Sequence, residues 1–95
     1  MPGELERDRA ETVALQALGW LAATEQLDAF AAASGADLGA IRAAAGDPQL
    51  AGAVLDFVMA DDPRARAFCE DHRLSAEDLL RARAVLPGGD HVHWT

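Results

Sequence analysis

Cys69 and His72 stand three residues apart, close enough to share one face of a helix. A working thiolate needs cationic neighbours or a helix N-terminus, partial exposure, and a base within reach. Cys69 is followed instead by Glu70 and Asp71, whose charge opposes ionisation, and no Cys/His/Asn set completes a site. It reads as a small buried hydrophobe beside Phe68, and as the single cysteine it can form no internal disulfide. Asp90, His91 and His93 in the tail bring two imidazoles and a carboxylate within reach of one ion. Behind the Gly88-Gly89 tether, with no ligand supplied from elsewhere, they fall short of a closed tetrahedral site, so no metal is expected. The paired acids Asp61-Asp62, Glu70-Asp71 and Glu77-Asp78 suggest general acid–base work or Mg²⁺, yet two of the pairs fall at expected helix starts. Capping and the helix dipole account for acids there. There is neither a glycine-rich phosphate loop nor a Ser-centred elbow. No catalytic, cofactor-binding or metal-ligating residue is assigned, and the chain is not expected to be an enzyme.

Nucleic-acid chemistry has one candidate. Ala31, Gly35 and Ile41 have the spacing of small residue, turn glycine and apolar residue found in helix-turn-helix readers. A recognition helix must present Arg, Lys, Asn, Gln or Ser to bases and phosphates, and Leu38 to Ala45 offers only Arg42. A second such stretch, Cys69 to Arg83, adds Arg73, Arg81 and Arg83 but also Glu70, Asp71, Glu77 and Asp78. The net charge of −8 repels a polyanion at long range, which disfavours nucleic acid and anionic membrane. A diverged helix-turn-helix regulator is therefore the alternative reading, which a face lined by Arg64, Arg66, Arg81 and Arg83 would favour.

The elements that would position these residues are helical throughout. Asp47 to Ala60 is the organising stretch: a capping Asp, Pro48 at the first helical position, then Leu50, Val54, Leu55, Phe57, Val58 and Met59. So little polar surface places this helix at the centre of a bundle. Asp62-Pro63 repeats the same punctuation and opens a fifth helix that runs to about His72, with Ala65, Phe68 and Cys69 inward. Before the centre, a first helix from about Arg9 to Thr24 carries Val13, Leu15, Leu18, Trp20 and Leu21. Gly19 within it offers a place for a neighbouring helix to come close, and Trp20 is expected in the core with its indole N–H near the surface. A second helix from Glu25 to Ser34 ends at Gly35, and a short third is capped by Asp37 and ended by Gly46. Ser75 and Asp78 form a capping-box-like start to a sixth helix bearing Leu79, Leu80, Ala82, Val85 and Leu86, stopped by Pro87-Gly88-Gly89. Nothing alternates with period two.

The expectation is an all-α compact bundle of about six short helices in one domain over residues 9–86. Residues 1–8 would form a flexible N-terminal segment and 87–95 a C-terminal tail. Sliding the chain by 38 residues lays Phe30 on Phe68, Ile41 on Leu79 and Asp37 on Ser75, which suggests two pseudo-symmetric three-helix halves. The charged start Met1 to Asp8 lacks an apolar signal core, and no apolar run approaches a membrane span, so a cytoplasmic protein is expected.

Several of these residues together resemble a known family of small, all-helical bacterial proteins grouped as a domain of unknown function. They are Ala14-Leu15-Gln16-Ala17-Leu18 with Trp20-Leu21, the Leu27, Phe30, Ser34-Gly35 turn, Leu38 with Ile41-Arg42, and Val54-Leu55-Asp56-Phe57 before Asp61. The resemblance spans about residues 10–86. It implies the helical fold and brings no catalytic residue, substrate or partner. Asp56 stands out by its chemistry: a carboxylate in the most apolar helix must face solvent or find a mate, with Arg81 and Arg83 the candidates. The leading functional expectation is a non-catalytic helical interaction module that engages an unidentified protein or a second copy of itself.

Overall fold

A computed structural model describes residues 2–87, with side chains from Glu6 onward. Among the described residues there are six helices and no strand: α1 (Pro2–Ala23), α2 (Leu27–Ser34), α3 (Leu38–Ala43), α4 (Pro48–Met59), α5 (Asp62–His72) and α6 (Ala76–Ala84). The all-α bundle is the fold observed. Helix α4 is its centre, packed against α1, α2, α5 and α6. It begins as its sequence dictates, with the Asp47 carboxylate accepting from Gln49 N–H at 2.9 Å ahead of Pro48. Val54, Leu55 and Val58 are fully enclosed.

Helix α1 lies along both α4 and α6. Its buried stripe is Ala10, Val13, Ala14, Ala17, Trp20 and Leu21, the three- and four-residue spacing of one helical face. Small residues fill that face, so α4 and α6 approach closely and Leu15, about a quarter-turn away, is left half exposed. The helix begins at Pro2, so residues expected to precede the domain continue α1 instead. Gly19 has no atom within 4 Å of where a Cβ would sit, so the close approach expected there does not occur among the described residues.

Other helix ends follow the sequence at their caps and depart from it elsewhere, as at α6, which stops at Ala84 ahead of Val85 and Leu86. α1 closes with Gln26 N–H donating to Leu21 O at 2.8 Å and Glu25 N–H to Ala22 O at 3.3 Å, around a left-handed Glu25. Glu25 therefore terminates α1, and α2 starts at Leu27 rather than Glu25. The cap of α5 is Asp61, whose carboxylate takes the Arg64 N–H at 3.0 Å, because proline is accommodated at either of the first two positions. α3 stops at Ala43, short of Gly46. Gly35 ends α2 at φ 77°, and Asp37 caps α3 with a 2.7 Å bond from Ala40 N–H.

The 38-residue offset survives in these local devices. Left-handed Gly35 corresponds to left-handed Arg73, and the caps Asp37 and Ser75 stand before equivalent helices. Helix packing does not repeat as closely. α1 has 22 residues against 12 in α4, and α6 lies along α1 while α3 packs chiefly on α2.

Candidate functional site

Asp56 finds its mate in Arg83. The guanidinium makes a two-toothed contact, Nε to Asp56 Oδ1 at 2.6 Å and Nη2 to Oδ2 at 3.1 Å. Nη1 donates onward to Pro87 O at 3.1 Å and more weakly to Leu86 O at 3.4 Å. One side chain thus ties α4 to α6 and occupies carbonyls left open beyond the helix end. The Arg83 side chain is 11% exposed and that of Asp56 53%, so the cation is the buried partner. Gly52, one turn before Asp56, makes the room: a Cβ there would lie 3.0 Å from Pro87 O and 3.1 Å from Arg83 Nη1. Arg81, the other candidate mate, turns outward to Glu77 at 3.7 Å. The arrangement satisfies charge within the chain and presents no reactive group.

The other arginines are also distributed. Arg64 lies 4.0 Å over the Phe57 ring, donates through Nε to Gln26 Oε1 at 3.0 Å and through Nη1 to Phe57 O at 2.9 Å. Of the four arginines whose shared face would favour a helix-turn-helix regulator, three are engaged within the chain: Arg64 by Gln26 and Phe57, Arg81 by Glu77 and Arg83 by Asp56. α3, the would-be recognition helix of the first stretch, has six residues with Arg42 its one basic group.

Cys69 is buried, and its Sγ lies 3.8 Å from Ser75 O as a weak donor. Burial, and then the Asp78 carboxylate, push the thiol pKa upward. The opposing charge comes from the start of α6 rather than from neighbouring Glu70 and Asp71. His72 does not serve the thiol: its Nδ1 lies 3.2 Å from Phe68 O and its ring packs 4.6 Å from the Phe68 ring. Phe68 in turn meets Trp20 edge-on, and the Trp20 indole N–H donates to Asp71 Oδ2 at 2.7 Å. Trp20 is core with its N–H at the rim, as its spacing suggested. Of the paired acids, Asp61 and Asp78 are caps and Asp71 holds the indole. No three His, Cys, Asp or Glu side chains converge as metal ligands among the described residues. Asp90, His91 and His93 lie outside the described residues.

A groove of about 720 Å³ opens between α5 and α6, with Met59 of α4 also in its lining. Ala65, Cys69, Leu74 and Leu79 line it with apolar surface. Leu80, next to buried Leu79, also lines it and has 61% of its surface exposed. Asp62, Arg66 and Glu70 of α5 provide the polar rim. A smaller hollow of about 270 Å³ between α1 and α6 is ringed by Glu6, Arg9, Asp78 and Arg81, with charges of both signs. The groove was missed from sequence because it depends on how far α5 and α6 splay. Leu80 was its one signal, hidden by sitting next to an equally apolar Leu79.

The class these features define is a small all-helical bundle with an apolar groove between α5 and α6. Residues 7–89 match the family described as a protein of unknown function, DUF3572, and the protein belongs to that family. Neither curated proteins nor solved structures gave a match. No described helix is long and apolar enough to cross a membrane.

Proposed function

We propose that this protein is a non-catalytic interaction module that engages another protein chain through the α5–α6 groove. The observation that carries the reading is Leu80, a large aliphatic side chain 61% exposed at the edge of an open apolar groove. A large aliphatic side chain standing exposed beside apolar lining supports a surface that another chain covers. Cavities of roughly 300–1,000 Å³ with apolar walls and a few polar groups are the range in which occupants are held. Support also comes from the chemistry elsewhere, where Asp61 and Asp78 serve helix starts, Asp56 pairs with Arg83, Asp71 holds the Trp20 indole and Arg64 packs on Phe57. A net charge of −8 weighs against a nucleic-acid ligand.

The test is affinity capture from host lysate after nuclease treatment, with wild type beside Leu80→Gln. The reading predicts a protein retained by wild type after nuclease and lost with Leu80→Gln at unchanged helicity. Material that disappears with nuclease treatment instead supports the helix-turn-helix alternative. Sedimentation of the pure chain separates a foreign partner from a second copy.

A further inference from the structure

We propose that the occupant of the α5–α6 groove is an amphipathic helix of net positive charge belonging to a different protein, an inference that rests on the interaction-module reading above. The groove walls are helices, whose backbone donors and acceptors are bonded along their own axes. No strand edge exists among the described residues to receive an extended peptide. An occupant lying on apolar lining must satisfy its own backbone, and a helix does so.

Charge selects which helix. Asp62, Arg66 and Glu70 recur at four-residue steps along α5, so the rim reads negative, positive, negative on successive turns. Among the described residues none of the three is in a salt bridge. On the α6 side the lining is apolar, with Ala76, Leu79 and Leu80. The rim therefore carries one net negative charge within a chain of net charge −8. It fits a helix with leucine-like anchors flanked by basic residues, and with an acid opposite Arg66. A second copy would bring the same net charge of −8 to this rim, which opposes self-pairing there. The complement is therefore foreign.

The test titrates two synthetic helical peptides into the isotopically labelled full chain and follows backbone amide shifts. Both share leucines at i, i+3 and i+7; one is flanked by arginines, the other by glutamates. The arginine peptide is expected to shift the amides of Ala65, Leu74 and Leu80 and to bind about tenfold tighter at low salt. That advantage should shrink as salt is raised. Reversing the exposed rim with Asp62→Lys and Glu70→Lys should transfer the preference to the glutamate peptide. Equal binding of both peptides, shifts confined to other surfaces, or no shift at all overturns the proposal. A groove that prefers the glutamate peptide removes the basic partner while leaving the interaction module standing. Self-association through the groove without peptide replaces the foreign helix with a second copy. Failure of the module itself is read separately, as loss of all nuclease-resistant capture.

Discussion

Helix α6 carries two surfaces built to opposite specifications. Its C-terminal end is closed: Arg83 binds Asp56, reaches the carbonyls of Leu86 and Pro87, and lies against a Gly52 that has no Cβ. Its N-terminal half is open, with Leu79 buried and adjacent Leu80 standing at the edge of a groove. The closed end is an accounting of polar groups, and no buried side-chain nitrogen or oxygen among the described residues lacks a partner. The open half leaves apolar area uncovered although α5 and α6 meet beside it. The contrast separates residues that hold the bundle from residues the bundle displays.

Changes at the closed end and at buried Leu79 should have the largest effects on stability. Asp56→Ala strands a guanidinium that is only 11% exposed, and should destabilise by about 3 kcal/mol in denaturant titration. Arg83→Ala should cost less, about 2 kcal/mol, because the abandoned Asp56 is 53% exposed and water can take over. An equal loss from both would show that burial is shared. Leu79→Ala should cost about 3 kcal/mol, as expected for a leucine 2% exposed in the core.

The start of α6 gives a smaller effect with a pH signature. The Ser75 hydroxyl takes the Asp78 N–H at 3.0 Å while the Asp78 carboxylate takes the Ser75 N–H at 3.0 Å. Ser75→Ala should cost about 1 kcal/mol. The Ser75 N–H, and then its hydroxyl, hold the Asp78 pKa below the ordinary carboxylate value. Its stabilisation is therefore complete above the unfolded-state pKa, near pH 4, and is lost as pH falls through the lower folded value. Thermal melts in acid should show Asp78→Asn to be less pH-sensitive than wild type. Leu80→Gln is the smallest change, within about 0.5 kcal/mol by the same titration, although its neighbour is among the most costly.

The closed end was largely legible in the sequence and the open half was not. Asp56 in an apolar helix demands a mate, and Arg83 was one of two arginines within reach. Asp37, Asp47, Ser75 and Gly35 announce helix ends through chemistry local to each turn. Asp61 was displaced by one position because two aspartates precede Pro63. The exposure of Leu15 and Leu80 could not be read from the sequence, because periodicity gives a stripe without saying which edge of it the neighbouring helix covers. That depends on rotation about the helix axis, which Arg83 and buried Leu86 set for α6. The Trp20–Asp71 bond joins positions 51 residues apart, and no local pattern announces it.

One paired measurement tests the division most directly: nuclease-treated capture and unfolding free energy, on Leu80→Gln and Asp56→Ala side by side. Leu80→Gln should keep its stability and lose the captured protein. Asp56→Ala should lose stability and, below its melting temperature, keep the captured protein. If capture survives Leu80→Gln, or fails equally in both variants while they remain folded, the groove is not the surface this protein uses.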